Sequence, residues 1–135
     1  MLSYDSQCDS SAVAAKLGFL AERPGTVLAA PTLRERAEIE HWANTYLTVH
    51  WRLRQYRLNP GPIDFAAYAA ACKWGPLTIA ELSLIGGDLA IRGERIDRVD
   101  DDTRDRTYGA AQERHQAFNW LLGQTPIYSE VSTDT

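Results

Sequence analysis

The sequence predicts a mainly α-helical domain of four helices with one short β-hairpin. Long segments carry apolar residues at helical spacing, and one glycine-punctuated stretch carries alternating apolar residues. The 135 residues are enough for one ordinary domain with one hydrophobic core. Because no linker divides them, residues 1–135 are expected to form a single domain.

The first two helices follow from apolar spacing and from residues that end a helix. Val13, Leu17 and Leu20 share one face of the first helix, which a Pro-Gly pair ends. Thr32 opens a Thr-x-x-Glu capping box for the second helix, and an Asn-Pro-Gly-Pro run ends that helix. These signals predict helices over about residues 11–21 and 33–58.

The second half of the chain contains the hairpin between two further helices. Asp64 is suited to cap the third helix, which a Gly-Pro pair ends. Gly86 and Gly87 followed by alternating Leu89 and Ile91 favour a hairpin. Aspartates before the fourth helix suit its positive end. The predicted ranges are about 64–74, 84–96 and 103–122, and residues 124–135 are open to fraying.

Both long helices carry polar residues inside an apolar stripe. At about 100° per residue, His50 and Arg57 lie in the apolar face of the second helix, and His115 and Asn119 in that of the fourth. Because a buried arginine needs a partner, we expect a carboxylate or carbonyl oxygen beside Arg57. The candidate partners are Asp64, Asp88 and Glu113. The alternative is that Arg57, near the end of its helix, extends its side chain to solvent.

Such an internal polar cluster has two interpretations. The commoner one is a structural network that fixes the register of the two helices, and the other is a pocket for a small molecule or for catalysis. In the pocket interpretation, His50 or His115 is a general base and Arg57 holds an anion. The residues assigned to the cluster are His50, Arg54, Arg57, Asp88, Glu113, His115 and Asn119.

An acidic run precedes and enters the fourth helix. It fails as an EF-hand calcium loop because Gly and Glu do not occupy the sixth and twelfth positions. The run either favours the start of the helix or forms a patch for a basic partner. With a net charge of −4, nucleic-acid binding is not expected. The acidic run consists of Asp97, Asp100, Asp101, Asp102 and Asp105.

The sequence lacks the usual signatures of catalysis and of cofactor binding. It contains no P-loop, no Gly-x-Ser-x-Gly and no dinucleotide-binding motif. Glu38 and His41 form one half of a di-iron motif whose second half is missing, so neither metal nor cofactor is expected. Two isolated cysteines, Cys8 and Cys72, favour a reduced cytoplasmic protein, and a disulfide between them is the less favoured alternative. Neither a secretory signal nor a membrane-spanning segment is expected.

Two helical segments resemble the paired motifs of the bacterial domain of unknown function family 4272. They are His-Trp-Arg-Leu-Arg-Gln-Tyr-Arg-Leu at 50–58 and Glu-Arg-His-Gln-Ala-Phe-Asn-Trp-Leu at 113–121, with Gly-Asp-Leu-Ala at 87–90 between them. The resemblance covers about residues 33–123, and Phe118 departs from the leucine expected there. It implies no activity, cofactor or catalytic residue. Its motif positions include four residues of the internal cluster, namely His50, Arg57, His115 and Asn119.

Two function classes fit these observations. We favour a small acidic protein-binding module, such as an immunity protein that neutralises a basic secreted toxin through the acidic run. The alternative is a small-ligand-binding protein or an enzyme that uses the internal cluster. A third possibility is a homodimer or a structural accessory protein with Trp51 or Trp120 as contact anchors, which the sequence does not separate from the first.

Overall fold

The described residues form four α-helices and a small three-stranded antiparallel sheet, which confirms the predicted fold class. The computed structural model describes residues 4–6, 10–17, 34–75 and 77–135. The helices are α1 (Ser10–Leu17), α2 (Arg36–Leu58), α3 (Phe65–Ala71) and α4 (Asp101–Leu121), and the strands are β1 (Leu84–Ile85), β2 (Asp88–Ile91) and β3 (Glu94–Arg95). A short 3-10 helix, Tyr128–Glu130, follows α4.

The two long helices, α2 and α4, pack against each other and enclose most of the core. Val49 and Leu53 of α2 and Ala111 of α4 are fully buried. Burial of these apolar side chains is the main force that joins the helices. Further buried members of the same core come from α3, the sheet and the connecting segments: Phe65, Leu77, Leu89, Ile91, Ile96 and Val99.

Two tight turns shape the sheet. Ile85 pairs with Asp88, so Gly86 and Gly87 alone form the first turn, with φ angles of 60° and 81°. Positive φ at both positions is typical of the type I′ turn, which suits the twist of paired strands and favours glycine. A second tight turn follows β2 and adds β3, so the predicted hairpin is extended by a third strand. All four residues of β2 are buried.

Several helix ends differ from the predicted positions. Helix α2 begins at Arg36, and Glu35 is its N-cap residue without a side-chain cap, so the predicted capping role of Glu35 is wrong. Helix α4 begins at Asp101, because Asp100 accepts a hydrogen bond from the backbone N–H of Thr103 at 2.8 Å. Asp64 caps α3 as expected, and α3 ends earlier than predicted, at residue 71. Three features of the sequence lie outside the described residues: Cys8, the predicted end of α1 at residue 21, and Thr32.

The C-terminal segment lies along α4, where the sequence suggested fraying. Gln116 donates a hydrogen bond to the carbonyl oxygen of Tyr128 at 3.0 Å, and Asn119 donates one to that of Ser132 at 3.1 Å. Val131 between them is buried. Side chains of α4 therefore satisfy backbone carbonyls of this segment. Within the described part of the chain, no helix is long and apolar enough to cross a membrane.

Candidate functional site

A polar cavity of about 230 Å³ lies between α2, α4 and the C-terminal segment. Each helix contributes two residues four positions apart, which places them on the same face. At ~30 Å³ for each molecule of liquid water, the volume corresponds to roughly seven or eight waters. The lining residues are His50 and Arg54 from α2, Tyr108 and Gln112 from α4, and Thr133 and Asp134 from the C-terminal segment.

His50 and His115 meet across the interface between α2 and α4. Both side chains are buried, and their Nδ1 atoms are 3.2 Å apart. Burial lowers the pKa of both imidazoles, and the pKa of His50 falls to about 4 because the charges of His115 and Arg54 add to the effect of burial. The pair is therefore neutral at pH 7, so one Nδ1–H donates and the other Nδ1 accepts.

The second ring nitrogen of His50 has no partner. Its Nε2 atom is buried, and it makes no hydrogen bond to any described residue. No other buried side-chain nitrogen or oxygen in the described part of the chain is in this state. An unsatisfied buried polar atom costs about 1–3 kcal/mol, so it marks a place where a ligand or a water molecule is favoured.

Arg57 does not occupy the buried position that the sequence predicted. It is exposed, and its guanidinium lies 4.4 Å from the ring centroid of Tyr108. The other neighbour of Tyr108 is His50, at 5.3 Å between ring centroids. Because Arg57 is one residue from the end of α2, its side chain reaches solvent and needs no carboxylate partner.

Arg54 and Asp134 bring opposite charges to the same cavity. Arg54 is exposed, and its Nη1 donates hydrogen bonds to the main-chain oxygen of Thr135 and, at 3.2 Å, to the Thr135 hydroxyl. Its other guanidinium nitrogens make no hydrogen bond to the described residues. The exposed carboxylate of Asp134 forms no ion pair with Arg54 or with any other described residue.

The remaining predicted members of the cluster lie away from the cavity. Glu113 is exposed on α4, and Asn119 holds the C-terminal segment. Asp88 is fully buried in β2, where it pairs with Arg52. The structure therefore brings together His50, His115 and Arg54, and it separates these from Arg57, Asp88, Glu113 and Asn119.

The buried arginine of α2 is Arg52, which lies outside the apolar stripe and was therefore not expected in the interior. Its Nε and Nη2 donate to the two carboxylate oxygens of Asp88, each at 2.7 Å, and Nη2 also donates to the carbonyl of Gly61 at 2.9 Å. Asp88 in turn accepts from the backbone N–H groups of Ile63 and Leu89. This bidentate pair ties α2 to β2 and to the segment before α3.

A weak signal for this second buried face was present in the sequence. Thr45, Thr48 and Arg52 recur at helical spacing, and all three are fully buried. The signal is weak because polar residues at this spacing are typical of an exposed helix face. The segment after α3 covers this face, and Thr48 accepts a hydrogen bond from the backbone N–H of Thr78 at 2.8 Å. Thr133 and Asp134 had no signal, since the C-terminal segment shows no periodic pattern, and nothing in the sequence distinguished Gln112 from the other polar residues of α4.

The acidic run is largely paired within the chain. Asp97 pairs with Arg95, and the hydrogen bonds from Arg95 hold the pKa of the Asp97 carboxyl below its usual value. Asp100 caps α4, while Asp101 and Asp102 pair with arginines of the same helix. Asp105 is exposed. Residues 92–106 contain six acidic residues and five arginines, so the local charge is close to neutral.

No family model, curated protein or solved structure was found to match this chain. The resemblance to family 4272 therefore stays a prediction, and the site is interpreted from its own geometry. Among the described residues, no group of three or more His, Cys, Asp or Glu side chains is placed to hold a metal ion.

Proposed function

We propose that the protein binds a small polar molecule in the cavity between α2, α4 and the C-terminal segment. The observation that carries this proposal is the buried Nε2 of His50, which lacks a partner among the described residues although its residue lines the cavity. Buried polar groups are normally satisfied. A shift of the imidazole toward the cavity would let a bound molecule hydrogen-bond to Nε2 and remove the penalty.

The other lining groups suit recognition of a small, polar molecule. Arg54 supplies a positive charge, Gln112 an amide and Thr133 a hydroxyl. Binding sites commonly place a few convergent polar groups in a concave surface. The cavity of about 230 Å³ is below the roughly 300–1,000 Å³ of sites for drug-sized ligands, which favours a ligand of metabolite size.

The electrostatics favour binding over acid–base catalysis. Efficient general bases have a pKa near the working pH, and His50 has a pKa of about 4. At neutral pH this imidazole is a weak base that forms hydrogen bonds without carrying charge.

A thermal-shift screen tests the proposal. The probes are small amino acids, short carboxylates, inorganic phosphate and nucleotides, each at millimolar concentration. A ligand present at 100 times its Kd stabilises the folded state by about 2.7 kcal/mol, which raises Tm. Absence of a shift with every probe would overturn the proposal.

Single substitutions test whether a ligand that raises Tm binds in the cavity. His50→Phe and Gln112→Leu are expected to abolish the shift, because each removes a polar group from the cavity wall. His41→Gln is the matched control, since His41 lies on the same helix but pairs with Glu81 outside the cavity. A shift that survives both cavity variants would place the ligand elsewhere.

As a second candidate function, we propose that the protein binds a partner protein, such as a basic toxin that it would neutralise as a bacterial cytoplasmic immunity protein. Large exposed aromatics support this candidate: Trp74 and Trp120 are 52% and 42% exposed. Trp51 is less suited as an anchor, since it stacks on Tyr68 at 4.4 Å between centroids. The near-neutral charge around the acidic run makes this candidate the weaker one.

Charge reversal tests the acidic version of this candidate. Asp102→Lys with Asp105→Lys changes two exposed carboxylates and spares Asp100, which caps α4. Binding to the product of the adjacent gene, measured with both proteins purified, is expected to weaken at least tenfold. Unchanged affinity would reject the acidic patch, and Trp120→Ala then tests the aromatic surface.

A further inference from the structure

Building on the proposed function, we infer that the cavity ligand is a small zwitterion such as a free α-amino acid, its carboxylate held by Arg54 and its ammonium group by Asp134. The inference rests on the charges of the cavity wall, on the neutral histidine pair behind it and on the cavity volume. Each of these restricts the ligand in a different way.

The two charges of the wall favour a ligand that carries both signs. Arg54 and Asp134 line one cavity without forming an ion pair with each other. A simple anion would bind Arg54 but would lie near the Asp134 carboxylate, which repels it. A simple cation would bind Asp134 but would lie near the Arg54 guanidinium, which repels it. A zwitterion satisfies both charges at once.

The guanidinium of Arg54 retains donors for a carboxylate. Only its Nη1 is used by Thr135, so Nε and Nη2 are available. A guanidinium can present two N–H groups to one carboxylate, and this geometry gives strong and directional binding.

The histidine pair accommodates either end of such a ligand. The Nδ1 atoms of His50 and His115 are 3.2 Å apart, and one of them carries the proton of the hydrogen bond between them. Either contact needs a shift of the buried His50 ring that brings Nε2 to the cavity. If His115 donates, Nε2 of His50 carries a proton and can then donate to a carboxylate. If His50 donates, its Nε2 accepts and can bind an ammonium group. The pair changes between these states without a change in net charge.

The size and lining of the cavity limit the ligand side chain. The volume of about 230 Å³ accommodates a few non-hydrogen atoms beyond the amino and carboxyl groups. Polar side chains supply most of the wall, since Arg54, Gln112, Thr133 and Asp134 all line it. Glycine, alanine and serine therefore fit better than amino acids with large apolar side chains.

Calorimetric titration of the full-length chain with alanine, acetate and methylamine tests this inference. Acetate and methylamine each carry one of the two charges of alanine. The wild-type protein is expected to bind alanine at least tenfold more tightly than either half molecule. Asp134→Asn is expected to weaken alanine binding about tenfold while leaving acetate binding unchanged or tighter. Asp102→Asn makes the same chemical change outside the cavity and is expected to alter neither.

The outcomes separate this inference from the proposed function. If acetate binds as tightly as alanine, the cavity is a simple anion site and the zwitterion assignment is overturned. If methylamine binds as tightly as alanine, the assignment is likewise overturned. If no small probe binds the wild-type protein, the proposed function itself fails. Arg54 and Asp134 are exposed, so their variants are expected to fold, which circular dichroism checks.

Discussion

Helix α2 carries two buried polar pairs that differ in how completely they are satisfied. Arg52 and Asp88 bind each other twice, and each also binds further groups of the chain. His50 and His115 share a single contact between ring nitrogens, and Nε2 of His50 has no partner among the described residues. The two pairs begin only two residues apart on the same helix.

This difference separates a structural role from a binding role. A buried pair whose donors and acceptors are all engaged fixes the position of the elements that it joins. A buried pair with a free polar atom beside a cavity leaves an interaction for a ligand. Residues two positions apart on a helix point about 200° apart, so α2 presents the first pair to the sheet and the second to the cavity.

The largest effect is expected at the satisfied pair. Asp88→Asn removes the countercharge of a fully buried arginine, so the free energy of unfolding should fall by about 3–5 kcal/mol. Urea denaturation measures the change. Asp102→Asn is the matched control, because it breaks an exposed pair with Arg106 and should cost at most about 1 kcal/mol.

A second variant keeps this prediction testable if Asp88→Asn does not fold. Replacing both partners, as Arg52→Met with Asp88→Leu, removes the unpaired charge and is expected to recover most of the loss. A loss below about 1 kcal/mol in Asp88→Asn would show that the pair does not hold α2 to the sheet.

The next effect is a pH dependence that arises from the histidine pair. Burial lowers the pKa of both imidazoles in the folded state, while the unfolded chain titrates near 6.5. Between pH 6.5 and about 4 the unfolded state binds more protons, so stability falls as the pH falls, by about 2–3 kcal/mol from His50 alone. Urea denaturation from pH 7 to 4.5 measures this loss.

The same measurement of stability against pH in His50→Leu identifies the groups that cause the pH dependence. The variant is expected to show a shallower decline than the wild-type protein. Ending at pH 4.5 keeps the carboxyl groups of Asp97 and Asp100 ionised, because their pKa values are lowered from an ordinary 3.8. Identical slopes in the two proteins would assign the pH dependence to other groups.

The smallest effect is expected at the C-terminal wall of the cavity. Asn119→Ala removes one exposed hydrogen bond to the carbonyl of Ser132, which should cost about 1 kcal/mol or less. Amide hydrogen exchange in residues 124–135 should accelerate, while exchange in α2 should not change. Unaltered exchange in residues 124–135 would mean that Asn119 does not hold the segment.

Much of the fold could be predicted from local patterns. The apolar stripe of α2, the glycine pair before β2 and the aspartate that begins α4 each act within a few residues, so they are readable without tertiary information. The end of α3 was placed too late, and β3 was not predicted as a separate strand, although it lies inside the predicted hairpin range and pairs with β2 through a local turn. The C-terminal segment gave no periodic signal, since it is held by side chains of α4.

The candidate site was predictable only in part. The position of His50 and His115 in two facing stripes predicted their contact, because both helices are long and regular. Arg57 reaches solvent, the alternative suggested by its place near the helix end, and helical angle alone could not decide between burial and exposure there. Arg52 was missed because its polar face is covered by a segment that is distant in sequence. Asp134 has no local signal for its place in the cavity wall.

Nitrogen-15 NMR of the labelled histidine rings tests the central claim most directly. On titration with alanine, the ring nitrogens of His50 should shift, those of His115 should follow through the Nδ1 contact, and those of His41 should remain unchanged. If the His50 nitrogens stay unchanged with alanine, acetate, methylamine and phosphate at millimolar concentration, the unpartnered Nε2 does not belong to a ligand site.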